Sequence, residues 1–455
     1  MAPRKTIALA GMIGLSLALA ACGGDGSTDA GGSKSNSTDC AAYSQYGNLK
    51  GKTVSIYTSI VAPEDQPQID SYKPFEQCTG AKIKYEGSKE FEAQLPVRVQ
   101  SGNAPDIAFI PQPGLLQTLV ATGKVMKAPQ GVSDNVDKFF GKDWRGYGSV
   151  DGTLYAAPLG ANVKSFVWYS PQAFKDGGYQ VPQTWDEMMQ LTAKIAADTK
   201  SKDGVKPWCA GIGSGDATGW PATDWLEDTL LRTAGADVYD QWVTHKIPFN
   251  DPKVVEALGK DAAILKNENY VNGGLGGVKS IATTTFQDAG LPILDGSCYM
   301  HRQASFYAAN WPKGTKVAED GDVWAFYLPT VDPSKGKPVE GGGEFVAAFS
   351  DRPEVQAFQT YLSSDTWANN KAKATPLGGW VSANKGLDIN NLVSPIDQLS
   401  AKTLQDPKAV FRFDGSDMMP GAVGAGTFWK GMTDWITGKS DMDTLTYIEQ
   451  SWPKS

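Results

Sequence analysis

The sequence is poor in side chains that bind metals. It has two histidines, His245 and His301, and its five cysteines include no CxxC pair. Structural zinc sites need closely spaced cysteine and histidine ligands. The sequence therefore predicts no metal site and no cofactor.

An excess of positive charge is also missing. The 42 lysines and arginines are outnumbered by 50 aspartates and glutamates, which gives a formal net charge of -8. Proteins that bind nucleic acid need clustered basic residues to neutralise phosphates. The acidic balance, in a chain with 14 tryptophans, therefore argues against a nucleic-acid partner.

Two common functional motifs are absent. Residues 211–219 read GIGSGDATG, which has the spacing G-x-G-x-G and no Walker lysine, so a nucleotide site is not indicated. The chain has no serine nucleophile elbow either. These absences leave binding without turnover as the simplest function, with carboxylate chemistry as the main catalytic alternative.

The apolar segment near the N-terminus is too short to span a bilayer comfortably. It runs from Ile7 to Ala20 behind two basic residues and ends in the tetrapeptide LAAC at Cys22. This pattern predicts a lipoprotein signal peptide over residues 1–21, with a lipid on the Cys22 sulfur of the cleaved chain. A secreted protein that is cut elsewhere is the alternative.

Residues 22–39 contain Gly, Ser, Asp, Asn and Thr and almost no apolar side chains, as is typical of a flexible tether. Loss of residues 1–21 removes two basic residues and no acid, which leaves 40 basic and 50 acidic residues and a net charge of -10. We therefore expect an acidic body, lipid-anchored on the outer face of the cytoplasmic membrane.

From Lys52 onward, strand-like and helical patterns alternate. The strand-like runs are TVSIYTS (53–59), AKIKYEG (81–87) and PDIAFI (105–110), with helical segments between them. This alternation predicts an α/β fold with a largely parallel sheet. A second α/β region begins near residue 160, and its first helix is marked by a capping box of Thr184 and Glu187.

Glycine-bearing segments near residues 155–170 and 337–350 lead from one apolar run into another, and no central linker separates the two regions. The pattern indicates two lobes that exchange segments, with a ligand bound in the crevice between them.

The chain resembles a known family, the family 1 extracellular solute-binding proteins of ABC importers, and within it the α-glucoside-binding branch. The segments that carry the resemblance are the lipobox at Cys22, SGNAPDIAFI (101–110), GTLYAAPLGANVKSFVWYS (152–170), VPQTWDEM (181–188), TPLGGWVSANKG (375–386) and the C-terminal GTFWKGMTDWITGKSDMDTLTYIEQSW. The resemblance implies a two-lobe periplasmic-binding-protein-like fold, hinge closure over a solute, a membrane permease as partner and no catalysis.

With this architecture we assign residues 40–160 and 343–388 to the first lobe, and residues 161–342 and 389–455 to the second. Four cysteines remain once Cys22 carries the lipid, and in an oxidising compartment they predict two disulfides with three possible connectivities. Cys40 with Cys78 and Cys209 with Cys298 is the favoured pairing, because each pair then lies within one lobe.

Sugars require aromatic faces against their C–H surfaces and planar polar groups for their hydroxyls. Trp220, in the loop before a helix, and Asp224 are candidates, whereas the spacing of Trp225 favours the core. Asn162 and Lys164 share one face of a strand in the crossing segment, although solvent exposure is the plain alternative for Lys164.

The other ligand-binding candidates come from the remaining crossing segments and helices. Ordinary explanations compete in several cases: an exposed helix acid for Glu90, a structural histidine for His301 and an Asx-turn for Asp417. Trp429 is out of phase with the core positions of the last helices, so it is free to face the cleft. These candidates are Glu90, His301 with its neighbours Tyr299 and Gln303, Glu344, Trp380, Asp417 and Trp429.

Taken together, the sequence predicts a monomeric, lipid-anchored protein that captures a small oligosaccharide, with an α-glucoside as the first expectation, for an ABC permease. A secreted glycoside hydrolase that uses a carboxylate pair is the alternative, because the separation of two carboxyl groups cannot be read from sequence.

Overall fold

The structure is a computed structural model, and it describes residues 39–272 and 277–453. The predicted signal peptide (1–21), the lipidation site Cys22 and nearly all of the tether (22–39) lie outside the described residues. Within the described ranges, no helix combines the length and the apolar character needed to cross a membrane.

The strands are short and fall into three sheets and one hairpin. In chain order they are β1 (Thr53–Thr58), β2 (Lys82–Gly87), β3 (Ile107–Ile110), β4 (Ser149–Val150), β5 (Thr153–Leu154), β6 (Ala156–Pro158), β7 (Asn162–Val163), β8 (Phe166–Tyr169), β9 (Lys206–Cys209), β10 (Val271–Asn272), β11 (Cys298–Arg302), β12 (Trp324–Tyr327), β13 (Lys337–Gly342), β14 (Phe345–Ala348) and β15 (Ala409–Phe413).

Helices cover the sheets, joined by short 3₁₀ turns and one π-helical turn at Val423–Phe428. In chain order they are α1 (Asp65–Asp70), α2 (Lys73–Thr79), α3 (Phe91–Gln100), α4 (Pro113–Ala121), α5 (Gln130–Phe139), α6 (Lys142–Tyr147), α7 (Pro171–Gly177), α8 (Trp185–Asp198), α9 (Trp220–Thr233), α10 (Ala236–Val243), α11 (Pro252–Leu265), α12 (Phe286–Ala289), α13 (Pro353–Leu362), α14 (Asp365–Lys373), α15 (Pro395–Leu404), α16 (Gly415–Met418), α17 (Trp429–Thr437) and α18 (Asp441–Glu449).

The first lobe is built on a sheet of order β2-β1-β3-β14-β6. Successive side chains of β1 point to opposite faces, as strand geometry requires. Ile56 packs with Phe75 and Phe358 on one face, and Tyr57 packs with Phe91 on the other. The three strands expected from the sequence at 53–59, 81–87 and 105–110 are present as β1, β2 and β3.

The second lobe is built on a sheet of order β10-β9-β11-β8-β12. The capping box of Thr184 and Glu187 starts α8 as predicted, and the buried face of that helix covers the sheet. Trp208 of β9 lies in this core and donates its indole hydrogen to Thr192 Oγ1 over 2.9 Å. The two-lobe α/β fold expected from the sequence is therefore present, while the assigned lobe boundaries remain a prediction.

A third sheet of order β15-β13-β7 lies where the chain crosses between the lobes. The expectation of largely parallel sheets was only half right. Strands β1, β2 and β3 pair in parallel, but β14 is antiparallel to both β3 and β6. The physical reason is that β14 joins the first sheet after the chain has returned from the second lobe.

Both disulfides have the predicted connectivity. Cys40 is bonded to Cys78 and Cys209 to Cys298. The first ties the start of the folded body to α2, and the second joins β9 to β11 within the second sheet. Each bond therefore strengthens one lobe without linking it to the other.

Candidate functional site

A cavity of about 150 Å³, here called the main cavity, lies between the two lobes. Its walls include the residues that directly follow β1 and β3, at the carboxyl ends of parallel strands where α/β sheets commonly bind ligands. Its lining is Ser59, Ile60, Val61, Glu64, Lys89, Glu92, Pro111, Gln112, Asn162, Lys164, Ser214, Ala217, Trp220, Phe286, Gln287, Phe306, Gly342, Gly343, Glu344, Asp414, Asp417 and Trp429.

A smaller cavity of about 50 Å³ adjoins it, since Asn162, Phe306 and Glu344 are among the residues that line both. Trp380 and Lys371 line only this smaller cavity. A Cβ atom on Gly160 would lie 2.7 Å from Glu344 Oε2 and 3.1 Å from Trp380 Nε1. A larger residue at position 160 would therefore require the Glu344 carboxyl group to move.

Aromatic rings form one wall of the main cavity. The ring of Trp220 lies 5.0 Å from that of Phe286 and 6.0 Å from that of Phe306. Gly219 has a φ of 116°, and a Cβ atom there would lie 2.1 Å from the carbonyl oxygen of Trp429. The glycine thus permits the close approach that places Trp220 and Trp429 in the same cavity.

The expectation that Trp220 lies in a loop was wrong, because it is the first residue of α9. The following Pro221 is compatible with this position, since the first turn of a helix has no partners for its backbone N–H groups. Trp225, the second tryptophan of the motif, is buried against Trp208 in the core as predicted.

Lys164 is held in the cavity wall by two carboxylates. Its ammonium group donates to Asp224 Oδ1 over 2.9 Å and makes a close contact with Asp414 Oδ2. Burial alone would lower the pKa of Lys164, but these two carboxylates outweigh it and hold the pKa well above its usual value. Lys164 is therefore charged throughout the physiological range, and it also lies 5.2 Å from the Trp220 ring centre.

The ion pairs of Lys164 continue into a buried network behind the cavity. Arg302 contacts Asp228 Oδ2 at 3.2 Å and Glu340 Oε2 at 2.5 Å, and Arg232 bonds to the other oxygen of Asp228. Despite Arg302, burial holds the pKa of Glu340 well above its ordinary value. The network fixes the position of Lys164 from behind.

Oxygen atoms of Asp224, Glu340 and Asp414 lie within 4.8 Å of one another, a spacing that could hold a metal ion. Lys164 and Arg302 already supply the positive charge that these carboxylates need. The arrangement therefore suits an internal ion-pair network better than a cation site.

Several other carboxyl groups in the cavities are hard to ionise. Burial raises the pKa of Glu64 to about 7, although a hydrogen bond from Asn310 opposes the shift. Burial likewise raises the pKa of Glu92 to about 7 and that of Glu344 above its usual range. These groups can donate as well as accept hydrogen bonds near neutral pH, which suits a ligand rich in hydroxyls.

We expect the unliganded protein to be more stable near pH 5 than near pH 7.5, because carboxyls whose pKa rises on folding keep a proton that the unfolded chain has released. Their stabilisation is complete below the unfolded pKa and is lost as the pH rises through about 7, the pKa of folded Glu64 and Glu92. Each should contribute on the order of 1–3 kcal/mol. Urea unfolding measured from pH 5 to pH 7.5 checks this difference in stability.

The substitution Glu64→Gln should flatten this pH dependence, since glutamine does not titrate. A stability that rises steadily from acid to neutral pH in the wild-type protein would contradict the argument.

The structure brings most of the predicted ligand residues together. Asn162, Lys164, Trp220, Glu344, Asp417 and Trp429 line the main cavity, and Trp380 lines the smaller one. Their contact with a ligand remains a prediction.

Three predicted residues lie elsewhere. Glu90 is exposed, and it has no part in either cavity lining. Asp224 is fully buried behind Lys164. His301 is buried in β11, where its Nδ1 lies 3.1 Å from the carbonyl oxygen of Cys209 and burial lowers its pKa to about 4. Tyr299 and Gln303 also lie outside both cavity linings.

Sequence reasoning missed several polar residues of the main cavity. The amide oxygens of Gln112 and Gln287 have no hydrogen-bond partner among the described residues, although both side chains line the cavity. Gln112 follows β3 by two residues, so the rule for carboxyl ends of parallel strands could have identified it. Nothing local in the sequence marks Gln287, Glu92 or Phe306.

Residues 52–369 match the model of the family described as bacterial extracellular solute-binding protein. The chain belongs to this family. The match covers the first sheet, the second sheet and the cavity residues up to Glu344. Members of the family bind solutes, so this extracellular solute-binding protein is a receptor and not an enzyme, and nothing supports the hydrolase alternative.

Three relatives match the solute-binding protein over most of its length. The osmoprotective compounds-binding protein GgtB of Synechocystis is 39% identical over 92% of this chain and 96% of its own. The alpha-glucosides-binding periplasmic protein AglE of Rhizobium meliloti is 38% identical over 89% of this chain and 88% of its own. The diacetylchitobiose binding protein DasA of Streptomyces coelicolor is 31% identical over 82% of this chain and 80% of its own.

Solved structures show the same fold at lower identity. The maltose-bound MalE3 of T. maritima aligns with a TM-score of 0.67 and 14% identity, covering 88% of this chain and 98% of its own. The solute receptor AcbH aligns with a TM-score of 0.70 and 19% identity, covering 88% and 97%. At this identity the likeness concerns the two-lobe fold alone.

Proposed function

We propose that this solute-binding protein captures a small oligosaccharide, with α-glucosides as its preferred class, and delivers it to an ABC permease. The observation that carries the proposal is the main cavity, where the aromatic wall of Trp220, Phe286 and Phe306 lies together with carboxyl groups and with two amide oxygens that lack partners among the described residues. That combination suits a sugar ring, whose C–H face stacks while its hydroxyls form hydrogen bonds.

The relatives support the choice of solute. AglE is named for α-glucosides and GgtB for osmoprotective compounds, and both align with nearly the whole folded body. The α-glucosides named for AglE are therefore the ligands that we would test first.

Hinge closure supplies the signal to the permease in this proposal. Residues of both lobes line the main cavity. A ligand that contacts both lobes stabilises the closed form over the open one and so shifts the population toward it. The lipid on Cys22 and the monomeric state, which we also propose, would keep a single closing body near the permease.

The test is a titration of the folded body, without residues 1–22, with maltose, trehalose, sucrose and methyl α-D-glucopyranoside. Tryptophan fluorescence follows binding, and chromatography of the recovered sugar follows turnover. We expect saturable binding of at least one α-glucoside and unchanged sugar. Progressive cleavage, or no response to any α-glucoside, would overturn the proposal.

Trp380→Ala should weaken binding of an α-disaccharide by about tenfold but leave methyl α-D-glucopyranoside nearly unaffected, because only the larger ligand reaches the smaller cavity. Trp452→Phe is a matched control, since Trp452 stacks on His245, which lies away from both cavity linings. Equal losses for the two sugars would place Trp380 at the first sugar ring instead.

A further inference from the structure

One part of the main cavity is lined by hydrogen-bond acceptors. Gln112 Nε2 donates to Glu92 Oε1 over 3.3 Å, while Gln112 Oε1 has no hydrogen-bond partner among the described residues, although Gln112 is only 4% exposed. A Cβ atom on Gly114 would lie 3.3 Å from the carbonyl oxygen of Asp417. The backbone of Asp417 therefore approaches the first turn of α4, which directly follows Gln112, and its side chain lines the same cavity. We call Glu92, Gln112 and Asp417 the acceptor end.

The two carboxyl groups of the acceptor end lack a cation. No ion pair among the described residues includes Glu92 or Asp417, and the nearby Lys164 is already bonded to Asp224 and Asp414. Lys89 also lines the cavity, but its side chain is exposed to solvent. Ionising a buried carboxyl group without a counter-charge is costly, so a ligand that brings positive charge would allow these two groups to ionise.

The surroundings of the acceptor end raise the pKa values of its two carboxyl groups and so oppose their ionisation in the absence of a ligand. Burial raises the pKa of Glu92, and Asp216 and Glu90 raise it further. Burial and then Asp414 hold the pKa of Asp417 well above its ordinary value, although Lys164 opposes them.

Aromatic rings also line the cavity that contains the acceptor end. Trp429, Trp220 and Phe306 line the same cavity, and the faces of such rings attract cations. A sugar hydroxyl brings one donor and two acceptor sites, whereas an ammonium group brings three donors and no acceptor. With Glu92 and Asp417 ionised, the acceptor end is thus matched by an ammonium group better than by a hydroxyl.

We propose that the acceptor end binds a protonated amine, so that the ligands of this protein include glycosides that carry an amino group. The inference rests on the proposed function, because the amine would belong to a glycoside held in the main cavity. Glu92 and Asp417 would accept hydrogen bonds from the ammonium group, and Gln112 Oε1 would accept the third.

The test compares methyl α-D-glucopyranoside with its 2-amino-2-deoxy, 4-amino-4-deoxy and 6-amino-6-deoxy derivatives by isothermal titration calorimetry on the folded body. We expect at least one amine to bind about tenfold or more tightly than the parent sugar at neutral pH, as charge-assisted hydrogen bonds predict. The same titration in phosphate and in Tris should show proton release for that amine and not for the parent, because the ammonium group favours ionised Glu92 and Asp417.

Glu92→Gln and Asp417→Asn should each abolish the gain for the amine while changing the affinity for the parent sugar much less. Glu319→Gln is the matched control, since it removes the same charge from an exposed position outside both cavity linings. It should leave both affinities unchanged.

If the parent sugar binds and all three amines bind equally or less tightly, this inference is wrong and the proposed function stands. If neither the parent sugar nor any other α-glucoside binds, the proposed function itself is wrong. Stabilisation of the wild-type protein, but not of Asp417→Asn, by CaCl₂ alone would assign the acceptor end to a metal ion and also overturn the inference.

Discussion

Lys164→Met should reduce the free energy of unfolding by about 3–5 kcal/mol, because it leaves the buried carboxylate of Asp414 without its cation and leaves Asp224 with Arg302 alone. Lys164 is 6% exposed, and it contacts both Asp224 and Asp414. In the variant Asp414 can avoid an unpaired charge only by taking up a proton. The loss should therefore be larger at about pH 8 than at about pH 5, which urea unfolding at the two pH values measures.

Lys164→Met should also remove most of the ligand affinity, since its ammonium group lies in the cavity wall. Lys194→Met is the control, because Lys194 pairs with Asp198 on the exposed surface of α8. That variant should unfold and bind like the wild-type protein. Equal effects of the two substitutions would show that the buried ion pairs of Lys164 contribute no more to stability and binding than the exposed ion pair of Lys194.

Trp220→Ala should weaken binding of the best α-glucoside by about 100-fold, or roughly 2.7 kcal/mol, the typical effect of removing an aromatic residue at the centre of a binding site. The side chain lines the main cavity and packs edge-on against Phe286. Calorimetric titration with the sugar measures the change, and unfolding in urea shows whether the fold survives it.

Trp220→Phe keeps an aromatic face and should stay within about tenfold of the wild-type affinity. If Trp220→Ala also stays within that range, the aromatic wall does not stack on the ligand. The orientation of the sugar would then have to come from the polar groups alone.

Local structure was predictable where its causes are local. The capping box at Thr184 lies within four residues, and it starts α8 as expected. The position of β14 between β3 and β6 was not predictable, because that pairing joins segments far apart in the chain. Periodicity identifies a strand, but it does not name the neighbours of that strand.

The same limit applies to the site. Lys164 could be proposed from its strand, yet its partner Asp414 is 250 residues away. Near the start of α3 the sequence offered Glu90 as a candidate, with an exposed acid as the stronger explanation. In the structure Glu90 is exposed and Glu92 lines the cavity. Glu90 precedes α3 and has non-helical dihedral angles, whereas Glu92 lies in the first turn of that helix. The boundary between them could not be placed from the sequence to within one residue.

The order of the strands also bears on when each lobe can form as the chain emerges during export. The second sheet has all its strands once Tyr327 has appeared, but the first lacks β14 until Ala348 has followed. The first sheet therefore stays incomplete, with a gap between β3 and β6, until β14 has emerged. We expect the lobe that is second in sequence to acquire its complete sheet first.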